Sequence, residues 1–307
     1  MRKRIDAHVH ITPVSQLNRV DPRFNVRKEA YGKFLFPNGD SFQFMPCYMQ
    51  NSQFTDDTLI RTMDVYGVER AVILQSLSLE INAEVAAAVL KYPDRLAGAM
   101  VVEPTKDCLE KLDFWYSRGL KVMKFEMSDG LGFATDCAYP KMKFDDSVMD
   151  ELFGLAEKRG MTVTIDTGPI GGKGYQVEEI RRSASHHPGL RYVICHLGFP
   201  RTLDSEANRS RWQQMIDTAK LENVWIDLAA MPDFFDEEGY PFPTAAKLLQ
   251  LAKKSCGAEK LIWGTDITGT LNRATYPQMI RMYEDCEFLT ETEKDMIFYN
   301  NAENAYF

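Results

Sequence analysis

Eight short apolar runs, most of them separated by a stretch of helix length, constrain this chain more than any other feature. They are "RIDAHVHI", "VERAVILQS", "LAGAMVVEP", "GLKVMKFEM", "MTVTIDTG", "LRYVICHLG", "NVWIDLAA" and "KLIWGTDI". Their β-branched, apolar composition is that of strands buried on both faces. The segments between carry ordinary helix start and stop signals. "TDDTLIRTMDVYG" opens on cap residues and stops at Gly67, and "EINAEVAAAVLKYP" stops at Pro93. "DDSVMDELFGLAEKRG" stops at Gly160, and "QVEEIRRSASHHPG" at Pro188 and Gly189. Eight strands alternating with helices predict a (β/α)8 TIM barrel, read as one domain over residues 1–307. The competitor is a doubly wound open sheet. Its nucleotide-binding forms place a glycine fingerprint after the first strand, and "ITPVSQLNRVD" has none.

Two segments exceed what a minimal barrel needs. Residues 12–55 follow the first strand and are aromatic-rich, "FNVRKEAYGKFLFPNGDSFQFMPCYMQNSQF". A loop of that length is uncommon unless functional. Because it leaves the catalytic end of strand one, it is expected to act as a lid or as a subunit contact, with Phe44, Tyr48 and Met49 candidates to line a pocket. Residues 127–144 form a second long loop at the same end.

The strand ends carry the chemistry. His8 and His10 are two of only five histidines, and their period-2 spacing puts both on one strand face with Asp6. Two same-face imidazoles can converge on a metal ion; a hydrogen-bonded edge strand is the plainer alternative. Lys124 and Glu126 share a face of strand four. Asp166, His196, Asp227 and Asp266 fall at or near the ends of strands five to eight. Buried charges at one end of so many strands are costly unless a metal or a tight network pairs them. Asp6 lies deeper and is expected to be structural. His186 and His187 end a helix and are expected to be surface groups favoured by its dipole.

A net charge of −8 argues against nucleic acid as the main partner. No run approaches the length of a membrane span, and no apolar segment follows the basic Arg2–Arg4, so a cytoplasmic location is expected. The six cysteines form no C-x-x-C pair, which favours scattered reduced thiols over a disulfide scaffold.

"IDAHVHI", "MDVYGVERAVILQ", "ICHLGFP", "NVWIDLAA", "IWGTDI" and "NNAENAYF", in this order, make the chain resemble the amidohydrolase superfamily. The similarity is to its amidohydrolase-2, or aminocarboxymuconate-semialdehyde decarboxylase-like, branch. The resemblance implies a barrel that binds one divalent ion, zinc first, with manganese or magnesium as harder alternatives. It implies His8 and His10 as ligands, Asp266 as ligand and general base, and His196 as ligand or acid/base group. One position departs: "IDTG" places Asp166 where relatives carry a histidine, so Asp166 is expected to complete the ligand set. Lys124, Glu126, Arg201 and Tyr48 are the expected substrate-binding residues, with Arg201 able to clamp an anion bidentately.

The expected activity is hydrolysis of an amide, ester or lactone in a small carboxylate-bearing compound by a metal-activated water. The alternative in the same branch is non-oxidative decarboxylation, or hydration, of an aromatic or unsaturated acid. A metal-free barrel that only binds a ligand is the non-catalytic alternative. A homodimer or larger assembly is expected from the aromatic loop.

Overall fold

The computed structural model describes residues 2–21, 25–76, 80–127 and 141–307. Eight parallel strands form the barrel: β1 (Ile5–Val9), β2 (Arg70–Ile73), β3 (Leu96–Met100), β4 (Val122–Glu126), β5 (Thr162–Asp166), β6 (Arg191–Ile194), β7 (Val224–Asp227) and β8 (Leu261–Ile262). They are ordered β1 to β8 around the sheet. Closure runs through the chain just beyond β8. Asp266 N donates to His8 O at 2.8 Å, and His10 N donates to Ile267 O at 2.7 Å. This region is tight: a Cβ on Gly264 would come 2.9 Å from His8 Cβ. Glycine there lets the chain after β8 run against β1.

Helices α1 (Asp56–Tyr66), α2 (Asn82–Lys91), α3 (Cys108–Tyr116), α4 (Ser147–Lys158), α5 (Val177–His186), α6 (Glu206–Thr218), α7 (Pro243–Cys256) and α8 (Tyr276–Glu284) surround the strands. Their boundaries follow local chemistry. Thr55 caps α1 by accepting from Thr58 N, and Gly67 closes it in the left-handed conformation. Asp146 caps α4 through Met149 N. The apolar helix faces and strands merge into one large core that includes Leu59, Met63, Phe153, Ile180, Met215 and Trp263. No helix among the described residues is long and apolar enough to cross a membrane.

The described residues of 12–55 are more ordered than a loop. Thr12 and Phe54 exchange backbone hydrogen bonds across the base of the segment, at 2.8 and 2.9 Å. Arg27–Lys28, Lys33–Leu35 and Ser41–Gln43 build a three-stranded antiparallel sheet. Its hairpin turns at "PNGD", where Gly39 has φ +88° and Phe36 N donates to Asp40 O at 2.9 Å. Asn-Gly between alternating apolar residues is a strong hairpin signal. Asn272 Nδ2 donates to Phe44 O at 2.6 Å and ties this sheet to the loop after β8. The second long loop, 127–144, lies mostly outside the described residues.

Candidate active site

Strand ends β1, β5, β6, β7 and the chain after β8 bring one cluster together. His10 Nε2 lies 2.9 Å from Asp266 Oδ1, and His8 Nε2 lies 3.6 Å from the same oxygen. On its other side His8 Nδ1–H donates to Asp227 Oδ2 at 2.9 Å. Asp227 Oδ1 accepts from His196 N at 2.7 Å and Ala229 N at 3.1 Å. The His8 and His196 rings are 4.7 Å apart. His196 Nε2 is 3.5 Å from Asp166 Oδ2, whose other oxygen accepts from Gly168 N at 2.9 Å.

Asp6 sits below this layer, as expected of a structural group. It accepts from Thr265 N at 2.9 Å, Thr265 Oγ1 at 2.7 Å and Tyr276 OH at 2.6 Å. Burial pushes its carboxyl up to about 6 in spite of those bonds.

The electrostatics divide the imidazoles. Burial pushes His8 down to about 4, against the pull of Asp227 and Asp266, so it is neutral and its one N–H, on Nδ1, points at Asp227. Burial also opposes charge on His196. There the bond and charge of Asp166, with Asp266 and Asp227, outweigh burial and raise it to about 9. Asp166 is correspondingly held down to about 2: burial would raise it, but the His196 bond and charge win. Asp266 is partly buried, yet His8, His10 and His196 hold it well below the ordinary carboxylate range.

The residues present fit a divalent ion. His8 Nε2 is buried without a hydrogen-bond partner. With His10 and an Asp266 oxygen it forms a triplet whose ligand atoms all lie within 4.8 Å of one another. A carboxylate behind the ligating histidine, as Asp227 is, fixes the ring and leaves Nε2 as a lone pair. A second triplet joins His8, Cys195 and His196. There Cys195 Sγ already accepts from Lys124 Nζ at 3.2 Å, and burial pushes its thiol well up.

Of the other expected site residues, Asp166 and Arg201 line the cavity, and Lys124, Glu126 and Tyr48 do not. Asp166 is not in the His8–His10–Asp266 triplet; it faces His196. Lys124 and Glu126 point inward from β4 and are buried, and neither lines the cavity. Lys124 stays charged because Asp166, Glu126 and Asp227 surround it and outweigh burial. Glu126 accepts from Ser76 Oγ at 2.9 Å. Tyr48 does not line the cavity: the turn at Pro46–Met49 throws it outward, 75% exposed. His187, expected at the surface, is buried against Asp150 and Glu157; His186 is exposed.

Above the cluster opens a cavity of about 480 Å³. Asp166, His196 and Asp266 form its polar floor, and Phe36, Phe42, Phe44, Phe199 and Phe234 contribute its walls. Arg201 and Arg273 also line it. Arg273 is committed to Asp236 at 3.1 Å, whereas Arg201 has no ion-pair partner among the described residues. Asp233, raised to about 7 by burial and then by the Asp266 charge, is a wall residue that the sequence reading did not single out. Neither were Phe199, Phe234, Asn272 and Arg273. Their only signal was position, just after "ICHLG", "DLAAMP" and "GTDITG".

The comparisons with known proteins agree with this architecture. No curated protein matches the chain. Among solved structures, a "probable 2-pyrone-4,6-dicarboxylic acid hydrolase" of Acinetobacter baumannii with citric acid bound is 19% identical. The match covers 98% of each chain, with a TM-score of 0.71. An amidohydrolase of Burkholderia multivorans with bound zinc is 15% identical over 99% of this chain and 98% of that one, with a TM-score of 0.73. The 5-carboxyvanillate decarboxylase of Sphingomonas paucimobilis is 15% identical over 80% and 81%, at 0.54. At these identities the likeness shows the fold. The amidohydrolase family model matches residues 5–307, and the chain therefore belongs to the amidohydrolase family.

Proposed function

We propose that the protein is a hydrolase of an ester, lactone or amide bond in a small, planar, carboxylate-bearing compound. One observation carries this reading. A single cavity holds Asp266, whose carboxyl is held well down, His196, raised to about 9, and Arg201, without an ion-pair partner among the described residues, between phenylalanine walls. Arg201 binds the substrate carboxylate, and the aromatic walls take its ring or unsaturated face. Asp266 accepts a proton from the attacking water and returns it to the leaving oxygen or nitrogen, so that water is added across the cleaved bond. His196, kept charged by Asp166, faces the carbonyl oxygen as negative charge develops there. A divalent ion held by His8, His10 and Asp266 would supply Lewis-acid polarisation and lower the pKa of water.

The pyrone hydrolase and the zinc-bound amidohydrolase among the neighbours support this choice. The aromatic walls favour a second reading, loss of carbon dioxide from an aromatic acid, with Asp266 taking a proton from solvent water and passing it to the carbon that carried the carboxylate; the decarboxylase neighbour is in keeping with it.

The test is a panel of lactones, N-acyl compounds and benzoate-type acids, assayed for ring opening or acid release and for carbon dioxide. Asp266→Asn should cost ~10²-fold or more in turnover with the fold intact. Arg201→Ala should raise KM ~10-fold or more for a carboxylate substrate, the loss of one charge-assisted bond, and little for its methyl ester. Carbon dioxide release without hydrolysis would select the second reading. Full turnover by Asp266→Asn would sink both.

A further inference from the structure

A second set of metal-ligating side chains lies outside the barrel mouth, on helices that the catalytic reading does not use. Asp150 is in the first turn of α4, His186 ends α5, and His187 follows it. Both imidazole Nε2 atoms converge on one oxygen: Asp150 Oδ1 is 3.3 Å from His186 and 3.1 Å from His187. All three ligand atoms lie within 4.8 Å of one another. Ligands held at 2.0–2.1 Å in a tetrahedral site stand about 3.3 Å apart. The two measured edges have that length.

The surroundings of His187 strengthen the case. It is buried, and its Nδ1 lies 3.4 Å from Glu157 Oε2. Glu157 is held for this contact, because its other oxygen accepts from Gly189 N at 2.6 Å. Asp150 and Glu157 are seven residues apart on α4, two turns along one face. The backbone of His187 is fixed as well: its N–H donates to Ser183 O at 3.0 Å, and its carbonyl accepts from Asn223 Nδ2 at 3.0 Å. His187 faces a carboxylate through each nitrogen, Glu157 at Nδ1 and Asp150 at Nε2. A cation held between Nε2 and Asp150 would have Glu157 as the carboxylate behind a ligating histidine. His186 supplies the third ligand from the exposed side and leaves a fourth position open to water.

We infer that Asp150, His186 and His187 form a second divalent-metal site that staples α4 to α5, for a borderline ion of the zinc type. It is independent of the proposed reaction. His186 and Asp150 are both surface-accessible and outside the cavity, so substituting them leaves the barrel site and its activity in place.

The probe is zinc alone. Chelator-stripped parent, His186→Ala and Asp150→Asn are equilibrated with zinc, desalted and analysed for bound metal. Each variant should hold one equivalent fewer than the parent, and zinc should raise the melting temperature of the parent more than that of either variant. The same one-equivalent difference should persist when His10→Ala is added to all three. Equal metal content and an equal zinc-induced shift in parent and variants would overturn the site and leave an imidazole–carboxylate contact only.

Discussion

Asp227 is the residue through which the structure makes its sharpest demand. It is fully buried and binds three groups: His8 Nδ1 at 2.9 Å, His196 N at 2.7 Å and Ala229 N at 3.1 Å. Asp227→Asn keeps an oxygen for the two backbone donors but replaces the oxygen facing His8 with an NH2. The amide now donates, so His8 must accept at Nδ1 and carry its proton on Nε2. That proton occupies the lone pair that faces His10 and Asp266. The fold should lose little: one charge-assisted bond becomes a neutral one, about 1–2 kcal/mol, or a few degrees in melting temperature. The site should lose much more. Disturbing the partner of a ligating histidine lowers metal affinity ~10–100-fold. Inverting the tautomer of a catalytic imidazole costs up to ~10⁴ in turnover in a well-studied triad. The assay is thermal melting, metal content after dialysis against a weak chelator, and turnover on the substrate that the panel identifies. Asp227→Ala is the control, since it removes all three bonds. If Asp227→Asn holds metal and turns over within ~3-fold of the parent while Asp227→Ala fails, the tautomer argument is wrong.

Asp166→Ala should retain as much metal as the parent, because Asp166 faces His196 and lies outside the His8–His10–Asp266 triplet. Its turnover should fall as His196 loses the partner that keeps it charged. Metal loss in this variant would restore Asp166 to the ligand set. Lys28 is buried in the small sheet and burial lowers it to about 7. Between there and its unfolded value of roughly 10.4, the unfolded chain binds the extra proton, so stability should rise with pH across that window. Lys28→Met should flatten the rise in urea melts at pH 7.5 and 9.5; an unchanged slope would refute it.

The barrel was legible because its signal is repeated eight times and each repeat is local. A run such as "LRYVICHLG" announces a buried strand by composition, and "TDDTLIRTMDVYG" announces a helix by its caps. His8, His10, His196 and Asp266 were legible because barrel strands all present their ends to one face, so residues distant in sequence become neighbours by topology. Side-chain direction within that neighbourhood was not legible. Asp166 ends β5 and Asp266 lies four residues beyond β8, and one turns to His196 and the other to His10. The difference lies in the turns that follow, which no periodicity encodes. Tyr48 and Phe44 illustrate the same limit inside residues 12–55. Three residues separate them, but Phe44 leaves the small sheet towards the cavity and Tyr48 sits on a turn that faces away from it. His187 was misplaced because a helix-terminal histidine is ordinarily solvated, and its burial depends on Asp150 and Glu157, 37 and 30 residues upstream.

Those strand-end turns also explain how the site holds its shape. His196, Leu197 and Phe199 after β6, Ala230 after β7, and Asp266 after β8 all have φ between 52° and 63°. Each left-handed non-glycine residue costs of the order of 1–2 kcal/mol, and such strain persists only where the surroundings enforce it. Here they do. Asp266 N is tied to His8 O and His196 N to Asp227, while Leu197 O accepts from Trp212 Nε1 at 2.8 Å. The strain can be relieved at one position without touching a charged group. Ala230 is buried with φ 63°, and its side chain is a single methyl. Ala230→Gly removes the clash that disfavours this conformation, against the extra entropy that glycine loses on folding, about 0.5–1 kcal/mol. The two should nearly cancel or favour the variant. Ala156→Gly, at a buried helical position in α4 with no such strain to relieve, carries only the cost. Melting temperatures of the two variants decide the point: Ala230→Gly should match or exceed the parent, and Ala156→Gly should fall below it. Equal losses in both would mean that the turn after β7 is not strained, and that the cavity rim owes its geometry to side-chain packing instead.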